Sequence, residues 1–282
     1  MIALLGGLGA ALAWGAGTVC SARSTRIVGA WSAVGWVMLV GLLANLVLLG
    51  IGPAPGALST SALAWLLVAG VGNVGGLLLE YAALRRGKVG LVTPIASTEG
   101  AIAAVLAVAA GEALGAASAL LLAVIVVGVV LAGVARDEST QGRSQSVAFV
   151  LAALAALLFG LGLFAAGHLS TSLPAAWAIL PPRLVGVAVV TLPLAVTRRL
   201  RISRSALPLV VATGLAEVLG FVCFEIGARH SVAVAAVLGS QFAAVASVAA
   251  YMLFRERLTR LQLAGVAAIV VGVAALTAVT AV

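Results

Sequence analysis

Ile125-Val126-Val127-Gly128-Val129 returns unchanged as Ile269-Val270-Val271-Gly272-Val273, 144 positions further along the chain. The same displacement lays Ala62, Leu63, Gly70, Val74 and Gly76 on Ala206, Leu207, Gly214, Val218 and Gly220. It also lays Arg85 on Arg229, Glu112 on Glu256 and Leu114 on Leu258. The chain is one apolar segment pattern written twice.

Composition sets the class of that pattern. Of 282 residues, 63% are hydrophobic and 9% charged, with a mean hydropathy of +1.27. A soluble domain carries about 25% charged residues. Apolar runs of about 20 residues, each able to cross roughly 30 Å of hydrocarbon, recur throughout. Ten are expected: 2–20, 28–50, 60–84, 89–110, 116–135, 147–167, 175–197, 205–228, 232–254 and 260–281. The expected fold is all-α, a polytopic membrane protein. Residues 1–135 form a first five-helix repeat, 136–146 a polar linker and 147–282 a second repeat. Two copies of an odd number of spans must lie upside down to each other, as in many secondary transporters, whose sites sit between the copies near the midplane.

Charge placement excludes other classes. The net charge of +8 forms no basic stripe, so no nucleic-acid partner is expected. Numbering the loops between spans in order, the odd loops hold 14 of the 16 Lys and Arg. Even loops hold Arg229 alone, and Arg183 lies within a span. The excess of cations marks the cytoplasmic side, which puts both termini outside. Cys20 and Cys223 stand apart, with no CxxC or His partner, and read as apolar packing. No HExxH, no clustered metal ligands and no nucleophilic triad appear, so neither an enzyme nor a cofactor or metal site is expected.

Ser231-Val232-Ala233-Val234-Ala235-Ala236-Val237-Leu238-Gly239-Ser240-Gln241-Phe242, then Phe254-Arg255-Glu256-Arg257-Leu258-Thr259 and Gln262-Leu263-Ala264-Gly265, resembles the second-repeat signature of the EamA-type drug/metabolite transporters. Pro94 and Gly111-Glu112 are similar to its first-repeat counterpart, and Ala13-Trp14-Gly15 to the family's opening helix. The resemblance spans essentially the whole chain. It implies a carrier of amino acids, sugars, nucleotide sugars or other small metabolites, and it names no substrate. It also implies cytoplasmic termini, the opposite of what the loop charges indicate.

The chemistry is expected at ionisable groups deep in spans, where a charge costs roughly 2.5–3.5 kcal/mol on insertion scales. Glu99 and Glu217 lie near the middle of the fourth and eighth spans, and Arg183 follows Pro181-Pro182 in the seventh. Under the 144 displacement Glu99 matches Ala243 and Glu217 matches Asn73, so both acids break the repeat, as an asymmetric solute requires. Arg183 is expected to receive an anionic group, and Glu99 or Glu217 a proton or an amine. Trp14 is placed to stack on a solute. Ser97 and Gln241, at matching depth with Thr98 and Ser240, are placed to hydrogen-bond it. Glu80 and Glu225 read as span-end residues, with Glu225 and Arg229 a surface pair four residues apart. The expected function is secondary transport of a small polar, amino-acid-like metabolite across the inner membrane by alternating access, with efflux the leading direction and protons the coupling partner. The partners are therefore the solute, the lipid bilayer and protons, with the oligomeric state open. The other class of reading is a membrane-embedded accessory or assembly protein with no transported solute.

Overall fold

A computed structural model describes residues 1–56, 58–113, 115–134 and 142–254, together with 260, 261, 264, 265, 267, 268, 271, 272 and 275. Twelve α-helices and one π-helical turn account for nearly all of the first four stretches. They are α1 (Ile2–Val28), α2 (Ala30–Ile51), α3 (Thr60–Arg86), α4 (Val89–Ala96), α5 (Glu99–Ala109), α6 (Ala116–Val134), α7 (Gly142–Leu169), α8 (Ala175–Gly186), α9 (Leu192–Val196), α10 (Leu207–Ala228), α11 (Val232–Gly239) and α12 (Phe242–Phe254); the π turn is Val187–Thr191.

Among the described residues, eight helical segments are long and apolar enough to cross a membrane. They match eight of the ten expected spans, although several run longer. The first extends to Val28, so Arg23 and Arg26 ride on the last turns of α1 instead of lying in a loop. The expected fifth span is α6, a further apolar helix of 19 residues. The expected tenth span, 260–281, lies mostly outside the described residues.

Three spans are interrupted, and the interruptions are local in origin. Pro94 withdraws a backbone donor inside α4. Just past the end of α4, the Ser97 hydroxyl donates to the Pro94 carbonyl at 2.9 Å and the Thr98 hydroxyl to that of Ile95 at 2.8 Å. Such back-bonding to the preceding turn bends helices. α11 breaks from α12 in the same way: Ser240 Oγ and Gln241 Nε2 both donate to the Val237 carbonyl, at 2.7 and 2.9 Å. The third interruption follows Pro181-Pro182 in α8, where the chain passes through the π turn before α9.

The first two of these spans cross each other at their breaks. A Cβ at Gly100 would stand 2.6 Å from both the Ala236 carbonyl oxygen and Ser240 Cβ, so only glycine admits α11 this close. Around this crossing the packing partners exchange between halves. α1 lies along α10 and touches α11 and α12, while α3 lies along α7, which touches α4 and α5. α2 packs on α8 and α10, and α8 on α3.

Side-chain contacts sort the loops into two ends. At one end, Trp36 Nε1 donates to the Arg201 carbonyl at 3.0 Å, the Arg201 N–H donates to Ser32 Oγ at 3.1 Å, and Arg26 reaches the Gly87 carbonyl at 3.5 Å. At the other, Glu112 accepts hydrogen bonds from the Ser231 hydroxyl and the Ala233 N–H, capping α11, and Arg229 donates to the Leu173 carbonyl at 3.4 Å. Odd loops thus meet odd loops and even loops meet even loops. Glu112 caps a helix, as its place at a span end suggests, and it caps one in the other half of the chain.

Candidate substrate cavity

At the centre of the bundle, side chains from both halves line a partly open cavity of about 40 Å³. Trp14 and Thr18 come from α1, Asn73 and Glu80 from α3, and Glu99 from α5. Phe159, Gly162 and Leu163 come from α7, Glu217 and Phe221 from α10, and Phe242 from α12. Two pairs of these residues stand 144 positions apart, Asn73 with Glu217 and Thr18 with Gly162.

Three of the sequence-expected residues, Trp14, Glu99 and Glu217, line this space. Trp14 is held edge-on against Phe221, ring centroids 5.2 Å apart, and tilted against Phe224 at 6.1 Å. Gly220 makes room for the indole, because an added Cβ there would overlap it. The indole Nε1 is buried without a hydrogen-bond partner. Glu99 opens α5 just beyond the Ser97-Thr98 break, which turns its side chain into the interior, where it is 5% exposed.

Arg183 lies behind the wall. Its side chain is wholly buried, and Nη2 donates to Glu217 Oε2 at 3.4 Å. Its guanidinium carbon stands 5.5 Å over the Phe221 ring, a cation–π arrangement, and Nη1 contacts the Met38 sulfur at 3.8 Å. Held on these sides, Arg183 is engaged by Glu217 and Phe221 and is not presented to the cavity. Ser97 and Gln241 do not line it either, since both spend their polar atoms on the helix breaks.

Glu80 is the residue that sequence reasoning passed over. It looked like a span-end acid, but α3 runs on to Arg86, and Glu80 is 5% exposed in the cavity wall. Its spacing of seven from Asn73, two helical turns on one face, was the available signal. Glu80 Oε1 and Asn73 Oδ1 are both buried without partners. Glu225 also departs from expectation. It is 1% exposed rather than on the surface, and neither carboxyl oxygen has a hydrogen-bond partner.

A bundle of helices long and apolar enough to span a membrane, with an interior cavity that both halves of the chain line, is the build of a multi-pass membrane protein. Residues 1–134 match the model of the EamA-like transporter family. A crystal structure of a protein 19% identical in sequence shares the fold, with a TM-score of 0.75 over 98% of this chain and 96% of that one. No curated protein matches the chain.

Proposed function

We propose that the protein is a secondary transporter that exports a small polar, amino-acid-like metabolite across the inner membrane by alternating access, coupled to protons. We further assign ten spans in two inverted repeats, residues 1–135 and 147–282, joined by the linker 136–146. The single observation that carries the transport reading is the interior cavity, which acidic side chains from α3, α5 and α10 line at the meeting of the two halves.

Inversion is supported by two features of the packing. The partners of α1 and α7 exchange between halves. Equivalent loops also lie at opposite ends: the loop at Gly87 meets Arg26, whereas its counterpart at Ser231 meets Glu112. Glu99 or Glu217 is assigned the binding of a proton or an amine, with Arg183 holding Glu217. Trp14 stacks on the solute. Ser97 and Gln241, at the crossing of the broken spans, exchange their backbone partners for the solute as the two breaks move apart. Unpaired backbone is tolerated at membrane depth only where it is buried in protein or lines a cavity, which suits a moving part at this crossing.

The test is counterflow in proteoliposomes containing the purified protein and preloaded with pooled amino acids and amines. Saturable exchange that depends on the protein is expected. No exchange of any solute, together with intact folding, would identify an accessory protein instead.

A further inference from the structure

The cavity contains more acid than its fold neutralises. Glu80, Glu99 and Glu217 all line it, and Arg183, which lies behind its wall, is committed to Glu217. Three further polar atoms in its walls, Trp14 Nε1, Asn73 Oδ1 and Glu80 Oε1, are buried without partners, on side chains no more than 7% exposed. Two of these three are acceptors. A buried polar atom left unpaired costs about 1–3 kcal/mol, so the two acceptors, Asn73 Oδ1 and Glu80 Oε1, are stabilised by a donor brought into the cavity.

The rest of the wall is aromatic: Trp14, Phe159, Phe221 and Phe242. Ring faces attract cations and repel anions, and Phe221 already holds one guanidinium. Among the described residues, no three His, Cys, Asp or Glu side chains converge closely enough to hold a metal ion. The carboxylates come from α3, α5 and α10 and are spread around the cavity rather than gathered at one point, which suits a charge carried on a larger body.

We infer that this cavity selects an organic cation, an ammonium group on an apolar or aromatic frame, and that a carboxylate on the solute contributes nothing to its recognition. The inference rests on the transport reading for its biological sense, but the selectivity belongs to the cavity and is measured separately. The ammonium hydrogens meet Glu80 and Asn73, its charge is balanced by Glu80 and Glu99, and the frame lies against Trp14 and Phe242. Glu217 stays with Arg183.

The test compares three probes that share a ring and differ in charge: 2-phenylethylamine, 2-phenylethanol and phenylacetate. Binding is measured by calorimetry on the purified full chain at neutral pH, and transport by counterflow in proteoliposomes. The amine is expected to bind saturably and roughly tenfold or more tighter than the alcohol, with phenylacetate weakest. Glu80→Gln and Glu99→Gln are each expected to weaken the amine roughly tenfold and leave the alcohol unchanged. Thermal melting of each variant, with alcohol binding as the internal control, separates misfolding from lost recognition. Equal binding of amine and alcohol, tighter binding of phenylacetate, no binding of any probe, or variants that weaken all probes alike would each overturn the inference. Selective amine binding without flux would uphold the cavity's selectivity and overturn the transport reading. Flux of other solutes with no preference for the amine would do the reverse.

Discussion

Arg183 Nη2 meets Glu217 Oε2 at 3.4 Å across the interface of α8 and α10, with the Arg183 side chain wholly shut away from solvent. A guanidinium in that position persists because it is paired, placed over Phe221 and given space by Gly41, whose hydrogen faces Arg183 Cδ. Breaking one side of a buried ion pair strands the other charge. Glu217→Ala is therefore expected to cost about 3–5 kcal/mol and lower the melting temperature sharply. The double variant Arg183→Met with Glu217→Leu should regain most of that loss. A single variant that melts like the parent would mean the pair holds nothing together.

Gly220 fixes the pose of Trp14. Gly220→Ala pushes a methyl group into the indole and is expected to cost about 1–3 kcal/mol while shifting the tryptophan emission. Gly50→Ala, on α2 with no atom within 4 Å of the added Cβ, is the matched control and should melt within about 0.5 kcal/mol of the parent. Equal effects of the two substitutions would refute the close packing at Trp14.

Glu225 has no partner for either carboxyl oxygen although it is 1% exposed. Replacing an unsatisfied polar group with an apolar one of similar size removes a penalty of about 1–3 kcal/mol. Glu225→Leu is expected to raise the melting temperature. A drop of several degrees would show that the carboxyl is used, and flux measured in the same variant would show whether transport is what uses it.

Protons and an ammonium group compete for the same cavity carboxylates. The groups that face this competition are Glu80 and its neighbour Tyr81 on α3, Glu99 on α5, Glu217 on α10 and Arg183 on α8. Amine affinity should therefore fall as the pH is lowered from neutral, and Glu99→Gln should flatten that dependence. Calorimetric titrations of 2-phenylethylamine at several pH values check both. An affinity that rises on acidification would contradict the assignment.

The odd-numbered connections of the sequence reading, together with the helix ends beside them, carry 14 of the 16 basic residues and are expected on the cytoplasmic face. A reporter active only in the cytoplasm should work when inserted in the 198–204 loop and fail at either terminus. The reverse pattern would put the termini inside, as the resemblance to EamA-type transporters implies.

The sequence by itself determined the class of this protein. Repeated Ile-Val-Val-Gly-Val, apolar runs near span length and a handful of interior charges are one-dimensional properties, since a helix in lipid satisfies its own backbone and needs no partner to be recognised. Glu99, Glu217 and Trp14 were legible as cavity residues because a charge or an indole at mid-span depth has few places to go. The tertiary structure decided which faces meet. Glu80 joined the cavity because α3 extends past the apolar run that marked its end. Arg183 was turned away from it because Glu217 and Phe221 stand beside it on α10. Ser97 and Gln241 were drawn onto their own helix breaks, where a hydroxyl and an amide close to a preceding carbonyl find it before any solute does. Depth along a span can be read from the order of residues, but the direction a side chain points across the bundle depends on which helix packs against which.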